Sequence, residues 1–195
     1  MRIKELVFLL VIICLIESCV KYSCDGFPNE ELKWIPFQIG DSIYYSNEID
    51  TISFLVVDFH KSDSWSDWQQ LVMDYWCPTE AYYVTNNNDR LNFSIKQIRR
   101  DECINCKNDI EIYFTGLDTI SFNDYSRNYD WDSTIYVKYI ENMTINQKQM
   151  TDVYFLTKKK NISGEYIDSV LIAPDYGILK FYESRENSSW VRVKY

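Results

Sequence analysis

From Ser42 to Lys194 apolar and aromatic residues return at every second position, in short runs separated by polar clusters. A period of two sends successive side chains to opposite faces of an extended strand, so each run buries one face and leaves the other to water. Ser42–Tyr45 leads through Asn47-Glu48-Ile49-Asp50 to Thr51–Phe59 and reads as a hairpin. Ala81–Thr85 and Leu91–Ile98 read as a second, because the side chains of Asn86-Asn87-Asn88-Asp89 between them mimic turn backbone. The same rhythm predicts strands at Ile110–Thr115, Thr119–Phe122, Thr134–Ile140, Asp152–Leu156, Tyr166–Ala173, Ile178–Tyr182 and Trp190–Lys194. Gly116-Leu117-Asp118 and Pro174-Asp175-Tyr176-Gly177 supply turns between neighbours. Short strands at this spacing predict an all-β fold: a mainly antiparallel sheet, either a sandwich or a barrel-like meander. Sixteen Tyr, ten Phe and six Trp against five Gly fit strands packed through large rings.

One stretch departs from the rhythm. In Ser64–Trp76, Trp65, Trp68, Leu71, Val72, Tyr75 and Trp76 recur at three- and four-residue steps, and Ser64 with Asp67 forms a capping box. The spacing predicts a short helix near 64–76, laid over the sheet and closing one end of the core, with an irregular strand-like loop as the alternative. Trp65 and Trp68 are the candidate ligand-binding residues if that element keeps them exposed.

The first residues carry a different message. Arg2 and Lys4 precede an apolar run, Leu6–Ile16, followed by Glu17-Ser18-Cys19. Such a run spans about 16 Å as a helix, against roughly 30 Å of hydrocarbon core, and is too short for a stable crossing. Residues 1–18 read as an export signal, and Ile16 and Ser18 stand where a bacterial lipoprotein signal has its branched and small residues. Glu17 departs from that pattern at its middle position. Cys19 is then the lipidation site, with an anchor of several acyl chains, palmitate among them; each buried methylene contributes about 0.8 kcal/mol. Residues 19–33 form the anchor and tether, and 34–195 a single β-rich domain.

Four further cysteines, Cys24, Cys77, Cys103 and Cys106, are an even set in an exported chain and read as two disulfides with three pairings open. A four-residue turn brings its ends within about 7 Å, which favours Cys103 with Cys106 and leaves Cys24 for Cys77. Cys103-Ile104-Asn105-Cys106 lacks the helix a redox site needs, and a four-cysteine zinc site would need a second close pair. Asp124, Asp130 and Asp132 lack the Gly and closing Glu of a calcium loop. The sequence therefore nominates no metal ligand and no cofactor.

Catalysis has little to rest on. The single histidine, His60, stands two residues from Asp58 on one strand face, with no nucleophile motif beside them. Carboxylates are numerous enough for a hydrolase pair, yet no two are singled out. No catalytic residue is nominated and the chain is read as a non-enzyme. A formal net charge of −9 repels phosphate backbones, so nucleic acid is excluded as a partner. Asn92, Asn142, Asn161 and Asn187 fit the N-glycan acceptor pattern, which an asparagine-rich composition produces by chance.

Trp34-Ile35-Pro36-Phe37, Gly40-Asp41, Asp50–Phe54, then Gly177-Ile178-Leu179-Lys180-Phe181 and Trp190 resemble a group of small lipoproteins of Bacteroidota. The resemblance covers both ends of the mature chain and implies a β-rich envelope protein, with no assigned activity and no functional residue to carry over. Gly177 fits a turn needing positive φ, and Trp34 and Trp190 fit core plugs. Val20 after Cys19 resembles outer-membrane sorting, and the acidic run of surface-exported lipoproteins is missing. The expectation is a lipid-anchored outer-membrane protein facing the periplasm. It would act as a non-catalytic binding or interaction module on an envelope protein or peptidoglycan-associated partner. The alternatives are an apolar ligand inside a barrel or half-barrel, and a carboxylate-dependent hydrolase.

Overall fold

The computed structural model describes residues 19–24, 26–70, 79–87, 91–99, 109–114, 120–123, 135–158 and 167–194. Strand β1 (Cys19–Cys24) is followed by a 3₁₀ segment (Asn29–Trp34) and the hairpin β2 (Ser42–Ser46) and β3 (Thr51–Lys61). Next come β4 (Trp65–Gln70), β5 (Thr79–Asn86), β6 (Phe93–Arg99), β7 (Asp109–Phe114) and β8 (Ile120–Asn123). The last five are β9 (Ile135–Ile145), β10 (Lys148–Lys158), β11 (Ile167–Ala173), β12 (Gly177–Glu183) and β13 (Ser188–Arg192).

Eleven strands form one sheet in the order β8-β7-β6-β5-β3-β2-β13-β12-β11-β10-β9, and β1 pairs with β4 in a separate ribbon. Every pairing is antiparallel. The join that makes a single sheet is β13 to β2, Val191 opposite Ser46 and Arg192 opposite Tyr45, so the last strand lies beside the first hairpin of the sheet. The expected all-β meander is thus a nearly closed barrel.

Closure comes from rings rather than from a ladder. Among the described residues no strand pairing joins the edge strands β8 and β9. Phe122 of β8 nevertheless packs on Tyr154 of β10, ring centroids 5.0 Å apart. Trp34 stands edge-on to both, at 5.4 Å and 5.6 Å. The 3₁₀ segment that carries Trp34 is held from two sides: Gln97 of β6 donates to the Glu31 carbonyl (2.9 Å), and the Asp175 amide donates to the Lys33 carbonyl (2.5 Å). Trp34 and Trp190 are both buried, as the core-plug reading requires.

The inward positions are filled. Tyr45, Phe54, Phe93 and Phe181 are completely or almost completely buried and meet edge-on, with Phe54 and Phe93 4.9 Å apart and Tyr45 and Phe181 5.1 Å apart. Phe114 joins them at 5.8 Å from Phe93. Edge-to-face contacts of this kind suit the ring quadrupole and leave the centre packed by side chains. Tyr45 satisfies its hydroxyl on the Ile178 carbonyl at 2.9 Å.

The helix expected near 64–76 is corrected. Trp65–Gln70 is extended and pairs residue for residue with β1, from Cys24 opposite Trp65 to Cys19 opposite Gln70. Trp and the other aromatic and branched residues favour an extended ladder, and Val20 and Tyr22 in β1 supply the partner strand for the Trp-containing chain. Residues 71–76 lie outside the described residues.

A second apolar cluster lies on the outer face. Along β10, Tyr154 and Leu156 belong to the interior, while Met150 and Val153 belong with Leu171, Ala173 and Leu179 outside it. Met150 and Val153 differ in parity, so the strand changes face between them, at Asp152, whose φ is +55°. The distal half of the β9–β10 hairpin therefore folds over the outer face of β11 and β12, carrying Met143, Ile145 and Met150 onto Leu179. Its tip, Asn146-Gln147, has φ of 49° and 66°, and Asn146 donates to the Arg192 carbonyl at 2.7 Å.

Candidate functional site

The structure places some of the sequence-derived candidates by backbone position, and others lie outside the described residues. Cys19, Cys24, Trp65 and Trp68 fall on the β1–β4 ribbon, with Cys24 opposite Trp65 and Lys21 opposite Trp68. Cys77, Cys103, Cys106, Asp124, Asp130 and Asp132 lie outside the described residues. Asp58 and His60 do share the outer face of β3, both exposed; His60 rests against the ring of its cross-strand neighbour Tyr82 at 5.1 Å. Among the described residues no three His, Cys, Asp or Glu side chains stand close enough to hold a metal ion.

A concave site does exist beside the second cluster, on the outer face of β10 to β13. It is a cleft of about 200 Å³ lined by the outward residues Phe155, Ser169, Leu171, Lys180, Tyr182 and Ser189, with Phe181 of the core also bordering it. The register explains why these six converge. Phe155, Leu171 and Lys180 stand side by side across β10, β11 and β12, and Ser169, Tyr182 and Ser189 form the next row across β11, β12 and β13. Their chain neighbours Tyr154, Leu156, Val170, Ile172, Phe181 and Trp190 are buried inside the barrel, so alternation turns the six outward. The rigidity of the site comes from the core beneath it.

Two side chains deserve individual account. Tyr182 donates its hydroxyl to the Asn187 side-chain oxygen in the β12–β13 turn, which fixes the ring along one wall. Asn187 itself sits at φ +50°, a conformation that asparagine tolerates better than most residues. Ser189 buries its Oγ at the cleft without a hydrogen-bond partner among the described residues. Leaving a buried hydroxyl unpaired costs about 1–3 kcal/mol, a cost that the Ser189 Oγ bears beneath the cleft surface. Lys180 places the cleft's single cation at its edge.

None of the six was singled out by sequence reasoning, although Phe155, Ser169, Leu171, Lys180 and Tyr182 all fall in predicted strands. The available signal was Lys180 inside Gly177-Ile178-Leu179-Lys180-Phe181, a charge among buried neighbours, which marks an outward position next to something worth facing.

A second polar group is buried at the opposite side of the sheet wall. Tyr83 is completely buried and its hydroxyl has no partner among the described residues. Burial raises its pKa well above the usual tyrosine value, the nearby Tyr45 adds to the rise, and the Arg192 cation offsets part of it. Arg192 caps this region, stacked over Phe37 at 4.8 Å and donating to the Tyr176 carbonyl. Tyr83 and Phe37 both belong to the interior cluster.

The fold and the cleft define an antiparallel β-barrel with a filled centre and a small amphipathic site on its outside. No known protein family matches the chain, and no curated protein and no solved structure is detectably similar to it.

Proposed function

We propose that this is a lipid-anchored cell-envelope protein that acts as a non-catalytic binding module through the outer face of β10–β13. One observation carries the reading: the barrel centre is occupied by its own rings, while the concave, mixed polar and apolar surface lies outside, over strands held rigid by the core. An apolar ligand held within the barrel would need the space that Tyr45, Phe54, Phe93 and Phe181 fill. The export and lipidation features of residues 1–19 supply the location, and the partner is an envelope protein or a peptidoglycan-associated one. Catalysis is left out of the proposal, the one histidine being an exposed residue resting on a tyrosine ring.

The test uses the full chain carrying Cys19→Ala, so that the lipid cannot hold the protein, mixed with washed envelope fragments and sedimented. The unmodified cleft is expected to bring protein into the pellet. Ser169→Trp, which fills the cleft, and Lys180→Glu, which inverts its charge, are expected to leave it in the supernatant, while Ser53→Trp on exposed β3 surface behaves as the parent. Retention that ignores Ser169→Trp and Lys180→Glu would refute the assignment of this face.

A further inference from the structure

We infer that the cleft accepts a pyranose ring bearing a carboxylate, one unit of an acidic envelope glycan; the inference rests on the binding reading above and names its ligand class. The first argument concerns what the site cannot offer. Strands β10 to β12 are bonded on both sides, and β13 is paired with β12 from Ser188 to Val191 and with β2 at Val191 and Arg192, so most backbone donors and acceptors beneath the cleft are committed to the ladder. The cleft lies on the face of these strands, where an occupant is read by side chains rather than by strand addition.

Those side chains have a particular mix. Phe155 and Tyr182 provide ring surface against which the apolar face of a sugar can lie, and Leu171 extends the floor. Ser169 contributes a hydroxyl to the lining, able both to donate and to accept, as the hydroxyls of a pyranose are. Lys180 then selects for an anionic substituent, because an ammonium bonded to a carboxylate is stronger than a neutral pair.

The charge pattern extends beyond one unit. Lys138 of β9 lies opposite Phe155, so one row runs Lys138, Phe155, Leu171, Lys180. Three strand spacings separate the two lysine backbones, about 14 Å. Two cations at that separation with apolar surface between them suit a polymer carrying carboxylates at intervals, in a protein whose net charge of −9 otherwise repels acidic chains.

The experiment is calorimetric titration of the full chain carrying Cys19→Ala with four probes. They are an oligosaccharide of four galacturonic acid units, N-acetylmuramic acid, cellotetraose as a neutral sugar, and tetraglutamate as an anion without a sugar ring. A uronate polymer and the lactyl sugar of the cell wall share the inferred chemistry, and the first two probes tell which source fits. Saturable binding of one of these, at least about tenfold tighter than cellotetraose and tetraglutamate, is the expected result. Lys180→Met should weaken it about tenfold or more. Ser169→Ala should weaken it too while leaving the thermal midpoint unchanged, because it removes a hydroxyl of the cleft lining; a structural serine would lower that midpoint. Equal binding of cellotetraose or tetraglutamate, or no binding of either acidic sugar, overturns the inference. If the acidic sugars fail while envelope retention still responds to Ser169→Trp, only the ligand class falls; if retention is unresponsive as well, the binding face falls with it.

Discussion

Replacing Trp34 by alanine tests how this barrel is shut. The indole is 1% exposed and stands edge-on to Phe122 of β8 and Tyr154 of β10, across the gap where no strand pairing links β8 to β9 among the described residues. Truncating a buried Trp or Phe to Ala costs about 3–5 kcal/mol, and each edge-on ring pair is worth about 0.5–1.5 kcal/mol beyond its area. With two such pairs lost and a seam without a ladder among the described residues, the expected cost lies near the top, about 4–5 kcal/mol. For a chain of this size each kcal/mol lowers the thermal midpoint by about 2–4 °C, so a fall of about 8–20 °C is expected. Urea unfolding followed by near-ultraviolet circular dichroism measures it. A double-mutant cycle with Phe122→Leu should return a coupling of about 0.5–1.5 kcal/mol. A total loss under about 1.5 kcal/mol, or additive effects, would refute closure by this ring cluster.

Three further outcomes follow from particular backbone and burial features. Gly177 has φ +68°, and a Cβ there would stand 3.1 Å from Cε2 of Phe37 and 3.5 Å from the Tyr83 hydroxyl, so Gly177→Ala should cost about 2–3 kcal/mol in urea titration. At the β9–β10 tip, Gln147→Gly should add up to about 1 kcal/mol by relieving a φ of 66°, whereas Asn146→Gly should add nothing because it forfeits the bond to the Arg192 carbonyl. Tyr83 titrates above the ordinary tyrosine range when folded, so the fold binds its proton more tightly than the unfolded chain does. Its contribution is complete below about pH 10 and lost as pH climbs from there toward the folded value, at up to about 1.4 kcal/mol per pH unit. Tyr83→Phe should flatten the alkaline decline relative to the parent, and parallel pH–stability curves would contradict that assignment.

How far the sequence carried the fold depended on whether alternation ran unbroken. Ala81–Thr85 and Ile110–Thr115 keep one parity between turns and each overlaps an observed strand closely, and Ile178–Tyr182 does so despite a change of parity at Leu179. The β9–β10 hairpin did not announce itself: its predicted strands stop at Ile140 and resume at Asp152, whereas the observed ones run to Ile145 and start at Lys148. The reason is the change of face around Asp152, which breaks the period of two, together with a two-residue turn that contains no glycine. At β4, the three- and four-residue spacing of Trp65 and Trp68 imitated a helix face, and the deciding partner, β1, lies more than forty residues upstream. The cleft was invisible for a different reason. Its residues come from four strands, and only the register across β10 to β13 sets Phe155 beside Leu171 and Tyr182 beside Ser189. A linear reading shows which residues point outward from a strand; it does not show which of them share a hollow.

The most direct test of the account is site-specific photo-crosslinking in intact cells, with a photoreactive phenylalanine analogue placed in turn at Ser169, Lys180 and, on exposed β3 surface, Val57. Binding at the outer face of β10–β13 predicts a discrete, ligand-dependent adduct from positions 169 and 180 and none from 57. An adduct from 57 alone, or equal labelling at all three, would contradict it.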